Sequence, residues 1–327
     1  VGFFLVLPAV VAKIRWGIDF SHPANVRIDD EFLYMSRTRE VLDGYPLIGN
    51  AYIWEHKSKP PSPLFLGEWL LAQPLKLFGG NVVAGAAAYD FVLPPLSVLL
   101  TYSFLYIAFS RRWLAFLGAF FLFLGLFWGD FARLWSPQLV FIFWLSQAIL
   151  FFLLFGREGD LQNSRKTLIA AAAVNFGLLF YLYPYYWTYY LAFLVILALG
   201  LWLKGHGREI KVMAVVAAGG AILAVPYFWL MWRASLLPEY TETLLRISMI
   251  YSRFPSGVKV VVPALILLGL GAWLWRKGLV AASRPALFLA SGVAAAAISV
   301  NQHVITGRNF EFSSHYDMLS FFWFVFV

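Results

Sequence analysis

Cysteine is missing from this chain altogether. Neither a disulfide framework nor a thiolate metal site is open to it, and redox chemistry says nothing about its compartment. Charge is scarce as well: 13% of the 327 residues are Asp, Glu, Lys or Arg, against 61% hydrophobic and 19% aromatic. Soluble domains carry about a quarter charged residues, so this shortage excludes that class, and a mean hydropathy of +0.74 agrees. The formal charge of +8 does not point to nucleic acid, because the basic residues are scattered between apolar runs. Loop charge that sets membrane topology accounts for them. No internal repeat of the solenoid or transporter kind is visible, which counts against matched, Gly/Pro-broken transporter halves. The opening run Val1 to Ala12 lacks the basic start of a signal peptide. With no initial methionine and an end at Val327 inside an apolar run, both termini are expected to be cuts in a longer protein.

What the chain has in abundance is long apolar runs. A helix needs about 20 apolar residues to cross the hydrocarbon. On that scale spans are expected at 1–18 (partial), 82–109, 113–128, 138–155, 167–183, 187–203, 212–230, 257–275, 286–300 and 319–327 (partial). The fold expected is all-α, a polytopic transmembrane helix bundle forming a single domain over 1–327. Arg111/Arg112, then Arg157, Arg165 and Lys166, then Lys204, Arg208 and Lys211, then Arg276, Lys277 and Arg284 fall in alternate connections. That alternation assigns those loops to the cytoplasm. The others face outward, including 19–81, a first extracytoplasmic loop with Lys and Arg of its own. Loops of that length count less toward orientation.

Within the first loop, Ile28 to Gly44 (IDDEFLYMSRTREVLDG) places Asp29, Asp30 and Glu31 in a row at a membrane boundary. Ionisable groups there are costly and tend to be functional. The competing reading is that Asp29 or Asp30 merely caps a short helix running to Leu42. Phe32, Met35 and Leu42 give that helix an irregular amphipathic pattern suited to a membrane surface. Pro46 to Pro63 is too rich in Pro and Gly to continue it. A second interfacial helix is expected over Leu64 to Phe78. The two would frame a platform able to hold a substrate where water meets lipid.

Other clusters carry two readings each. GDFARLWSPQ from Gly129 holds Asp130 and Arg133, either part of a site or an i,i+3 pair satisfied by each other. NQHVITGRNFEFSSHY offers Asn301, Gln302, His303, Arg308, Glu311, His315 and Tyr316. This is a set able to bind a sugar or a diphosphate, Arg308 presenting a planar fork to phosphate oxygens; a solvated loop is the alternative. His303 and His315 could also ligate a metal, although no zinc spacing such as HExxH occurs. The aromatic stretch Tyr181 to Tyr190 reads as an interfacial belt before it reads as a sugar-stacking surface. Gly125 and Gly129 have GxxxG spacing, which close helix packing explains. Arg233, Arg246 and Arg253 read as surface charge ahead of lipid-phosphate contacts.

Asp30-Glu31 followed by Tyr34, Gly44, His56 with Pro60-Pro61, Glu68 and Phe78-Gly79 resembles the first extracytoplasmic loop of membrane glycosyltransferases of the GT-C class. The likeness is nearest to the bacterial branch related to protein O-mannosyltransferases and lipid A aminoarabinose transferases, and covers roughly the first 140 residues. It implies a polyprenyl-phosphate-linked sugar as donor and a glycan, lipid or protein acceptor. It also implies an active site on the periplasmic or exterior face of a bacterial inner membrane, with a divalent metal in some members. By the same resemblance Asp30 is the general base, Glu31 its neighbour or a metal contact, and Asp130 a second acid at the site. Tyr34, His56, Arg133, Gln302, His303, Arg308, His315 and Tyr316 make up the expected substrate-binding set, with Arg133 or Arg308 on the phosphate. Two other classes stand against this. A flippase or transporter of lipid-linked saccharides predicts acids deep inside spans, and a non-catalytic scaffold predicts indifference to replacing Asp30 and Asp130 together.

Overall fold

The computed structural model describes residues 2–19, 29–49, 62–77, 79–127, 138–157, 165–238, 240–246, 249–281, 283–309 and 313–326. The structure is about 82% helical. In chain order the helices are α1 (Gly2–Trp16), α2 (Asp29–Leu42), α3 (Leu66–Lys76), α4 (Val82–Phe109), α5 (Arg112–Phe127) and α6 (Val140–Phe151), the last running on as a π-helical turn, Phe152–Gly156. Then come α7 (Arg165–Leu182), α8 (Pro184–Leu203), α9 (Gly207–Leu223), α10 (Val225–Ser235) and α11 (Tyr240–Arg246). The rest is β1 (Ile250–Tyr251), α12 (Val258–Arg276), α13 (Arg284–Val300), α14 (Gln302–Thr306), β2 (Arg308–Asn309), a 3-10 turn (Ser313–Tyr316) and α15 (Asp317–Phe326). Four helices, α4, α7, α8 and α12, are long and apolar enough to cross a membrane, and α9 with α10 makes a fifth if the broken pair is one span. The expected 212–230 span is that pair, interrupted at Ala224. Helices over 112–125, 140–156 and 284–300 are apolar but shorter. These are the helices of a membrane protein.

The chain divides into two compact units. The first comprises Val1–Ser146, Leu178–Tyr183 and Ala224–Arg233. Its axis is α4, opened by Asn81, whose side chain accepts from the Ala84 amide at 3.0 Å. That bond satisfies one of the donors a helix start leaves bare. Twenty-eight residues at 1.5 Å each give about 42 Å, more than the hydrocarbon thickness requires. Ser110, in the left-handed region at φ 55, ends α4, and α5 packs back along it. Helix α1 packs on α4 as well, closely enough that a Cβ on Gly2 would run into the Phe91 carbonyl. Helices α2 and α3 pack on each other, and a core of Met35, Leu71, Leu75, Val82 and Leu93 joins them to the start of α4. Val41, Ile48 and Ala72 close a second small core at the far end of α2.

Both short helices of the first loop are present. The buried face of α2 is Glu31, Met35, Thr38 and Val41, while Phe32 is 53% exposed. The spacing i, i+4, i+7 and i+10 is a helix face, and an acid holds its first position.

The second unit comprises Gln147–Gly177, Pro184–Leu223 and Ala234–Val327. Its centre is α13 packed on α8, with α12 and α15 beside α13. Small residues allow the approach: a Cβ on Gly200 would meet the Leu287 side chain, and one on Gly292 would meet the Trp323 ring at 2.5 Å. Phe151, Tyr190, Phe193, Phe288 and Trp323 form a continuous aromatic core, all at zero exposure. The expected aromatic belt is corrected here. Tyr185, Tyr186, Tyr189 and Tyr190 are buried in the first turns of α8, and the Tyr189 hydroxyl donates to the Gly292 carbonyl at 3.1 Å. Packing against α13 claims rings that a headgroup layer would otherwise have taken.

This unit is polar at both ends. At one end Arg284, at the start of α13, pairs with Glu209 of α9 at 3.2 Å, both largely buried. At the other, the Ser256 amide before α12 donates to Asn301 after α13 at 2.9 Å. The Thr188 hydroxyl in the first turns of α8 lies 3.0 Å from that of Tyr316.

Candidate functional site

In the first unit, the site predicted around Asp30 is built on a braced pair of helices. Arg37 Nε of α2 lies 2.7 Å from Glu68 Oε1 of α3, with side-chain exposures of 17% and 0%. The same guanidinium donates through Nη2 to the Leu64 carbonyl at 2.5 Å. A charged pair so far from water holds only when each partner is present, so α2 and α3 are locked in register. The Tyr89 hydroxyl of α4 donates to the Leu71 carbonyl at 2.5 Å, tying α3 to the long helix. The Thr38 hydroxyl donates to the Tyr34 carbonyl at 2.8 Å within α2.

Asp29 and Asp30 open α2, where the helix dipole favours negative charge. Their side chains lie outside the described residues, as do Asp130, Arg133 and His56. Glu31 is 4% exposed, on the face that carries Met35. It is an interior acid and not a solvated cap. Tyr34 is half-buried against the Met35, Leu71 and Leu75 core.

One acid within a span escaped the sequence reading. Asp90 lies about 12 Å along α4 at helical rise; it is 8% exposed and accepts from the wholly buried Gln138 side chain at 2.6 Å. Pro94 and Pro95 follow inside the same helix. They have no N–H to give to the carbonyls four residues back, those of Asp90 and Phe91. Asp90, the one acid of α4, therefore lies level with carbonyls released from helix bonding. An isolated acid in an apolar run is the signal that could have found it. Glu68 likewise stood in the quoted motif without a role.

In the second unit, Asn301 to Tyr316 is divided between two surroundings. Gln302 and His303 belong to α14 and Arg308 to β2, which pairs antiparallel with β1 so that Tyr251 faces Arg308 and Ile250 faces Asn309. Gln302 Nε2 donates to the Arg308 carbonyl at 3.0 Å, and Thr306 Oγ1 accepts from the Arg308 amide at 3.2 Å. His303 is 1% exposed, with Nε2 2.8 Å from the Phe254 carbonyl. Arg253, read from the sequence as surface charge, is part of this assembly: its Nη1 donates to the carbonyls of Val304 and Ile305 at 3.0 and 2.8 Å. It satisfies the bare end of α14, as a cation suits a helix C-terminus. Tyr251, Ser252, Arg253, Thr306, Gly307 and Arg308 line a cleft of about 340 Å³.

His315 and Tyr316 pack instead on α8. The His315 ring stacks on Tyr185 at 4.6 Å, and burial pushes the Tyr316 phenol up to about 12 against the opposing hydrogen bond from Thr188. Tyr316 is 6% exposed, so its hydroxyl holds the 3-10 turn to the helix start.

Among the described residues no three His, Asp or Glu side chains group as a metal site. The Asp29, Asp30, His56, Asp130 and Glu311 side chains, which would enlarge the donor set, lie outside them. The fold and these clusters define a helical membrane protein with a braced acidic platform in one unit and an arginine cleft in the other. The chain matches no protein-family model, no curated protein and no solved structure.

Proposed function

We propose that the protein is a membrane glycosyltransferase of the GT-C type. It moves a sugar from a polyprenyl-phosphate-linked donor to a glycan, lipid or protein acceptor on the non-cytoplasmic face, in a bacterial inner membrane. The observation that supports this most is the platform. Two short helices, joined by a buried Arg37–Glu68 pair, carry three consecutive acids beside the start of the longest apolar helix. A donor with a long apolar tail needs a lipid-facing bundle, and its head needs fixed polar groups at the boundary.

In this reading the Asp30 carboxylate takes the proton of the acceptor hydroxyl or amine as general base. The acceptor atom bonds to the anomeric carbon, the bond from that carbon to the phosphate oxygen breaks, and the electron pair leaves on the polyprenyl phosphate. Inversion at the anomeric carbon follows from the resemblance. Glu31 and Asp130 complete the acidic side of the site. Arg133 meets the departing phosphate, whose charge a fixed cation stabilises most where water is thin. A divalent metal, were one bound beside Glu31, would supply further neutralisation of that phosphate.

The rival flippase predicts a path of acids through the bilayer. Among the four helices long enough to span, α7, α8 and α12 carry no acid and α4 carries Asp90 alone. The deciding experiment reconstitutes the protein in vesicles with labelled polyprenyl-phosphate sugars. Release of polyprenyl phosphate with the sugar on an acceptor is the expected result. Movement of intact donor across the bilayer with no release would replace transfer by transport.

A further inference from the structure

The cleft at the β1–β2 ribbon and α14 is lined by two arginines and, among the described residues, by no carboxylate. Arg253 is fixed by its bonds to the end of α14. Arg308 is held by its backbone alone: the strand pairing, the Thr306 hydroxyl and the Gln302 amide position it. Its exposed guanidinium makes no hydrogen bond or ion pair among the described residues. Gly307 stands between the two arginines at φ +74, and a Cβ there would come within 3.3 Å of Arg253 Nη2. Glycine thus keeps the floor open while making the turn.

The rim is apolar. Phe254 is 82%, Ile305 77% and Tyr251 61% exposed. Helix α12 begins at Val258, a few residues beyond the cleft, and only 11% of its apolar window is buried, the least of the four candidate spans. Val258, Val262, Leu265 and Ile266 are exposed on it. A helix so uncovered and so apolar presents its flank to lipid, which places the residues just before it at headgroup depth. Paired arginines beside apolar side chains at that depth have the charge and the polarity gradient of one ligand class.

We propose that this cleft binds the phosphate of an anionic membrane glycerophospholipid, with Arg308 as its main contact and Phe254 and Ile305 against the acyl chains. The site is separate from glycosyl transfer, leaves Arg133 to the donor phosphate, and stands whether or not the transfer proposal does. A free phosphate would have no use for the apolar rim, and a zwitterionic headgroup would bring its own cation to the arginines.

The test is native mass spectrometry of the full chain released from nanodiscs of mixed phosphatidylglycerol and phosphatidylcholine. One retained phosphatidylglycerol is expected. Arg308→Gln should lower its retention about tenfold, the size of one charge-assisted hydrogen bond. Arg308→Lys should keep part of it, and Arg233→Gln, on the other unit, should keep all of it. Equal retention by wild type and Arg308→Gln would overturn the proposal. So would equal retention of phosphatidylcholine, or displacement of the bound lipid by millimolar inorganic phosphate, which would mark a small-anion site. Preferential displacement by polyprenyl phosphate would also overturn it, and would return Arg308 to the donor.

Discussion

At the scale of single residues, burial decides what each charge can do. Glu68 is wholly buried beside Arg37, so removing the carboxylate takes the counter-charge from a largely buried guanidinium. Glu68→Leu is expected to destabilise the protein by about 3–5 kcal/mol, read as a lowered midpoint of thermal unfolding in detergent. Arg37→Met in the same chain should recover most of that loss, because the stranded charge is then gone. The acids at 29–31 were legible in the sequence as a cluster; which of them points inward was not. Sequence spacing gave an amphipathic surface helix with Phe32 among its apolar residues, and only tertiary packing shows that Glu31 lies on the buried face while Phe32 stays exposed. Asp90 was equally visible as a residue, but its partner Gln138 lies 48 positions away, and such a distance carries no local signal. Tyr316 makes a pH-dependent contribution. Its phenol is raised by burial, so the stability it lends is intact below about pH 10 and falls as pH climbs toward its folded value.

At the scale of elements, glycine and proline set the junctions. Gly257 has φ +69 and opens α12, and a Cβ there would collide with the Val300 side chain at the end of α13. Gly257→Ala should therefore lose about 1–3 kcal/mol through backbone strain alone, with the collision added. Thermal unfolding should show Val300→Ala in the same chain relieving only the second part. Most helix positions in the apolar runs followed from composition, but the break of the 212–230 run at Ala224 and the shortness of the helices over 112–125, 140–156 and 284–300 did not. The conformation of Asn301 to Tyr316 did not. Its residues read as one polar loop, yet a two-residue strand pair and the stacking of His315 on Tyr185 send its halves to different neighbours. Arg253 could be joined to Arg308 only once β1 and β2 were paired.

At the scale of the whole molecule, the missing cysteines become an instrument. Pro255 and Lys277 flank α12 and are both exposed. Introduced singly as Pro255→Cys and Lys277→Cys, they are expected to react with a membrane-impermeant thiol reagent from opposite sides of intact cells, position 255 from outside. Labelling of both from one side would deny that α12 crosses the membrane. The orientation rests on alternating basic loops, and in the second unit Arg284 and Glu209 meet at one end while the arginine cleft lies at the other.

The most direct measurement compares Asp30→Asn with Asp29→Asn in reconstituted vesicles, scoring sugar transfer from a polyprenyl-phosphate donor against expression and thermal midpoint. Asn preserves size and helix-start hydrogen bonding but cannot take the acceptor's proton. The expected result is a fall of two to four orders of magnitude, roughly the contribution of a general base, for Asp30→Asn alone, with the fold unchanged. Turnover at the wild-type rate in both variants would remove Asp30 from the chemistry and contradict the proposed mechanism.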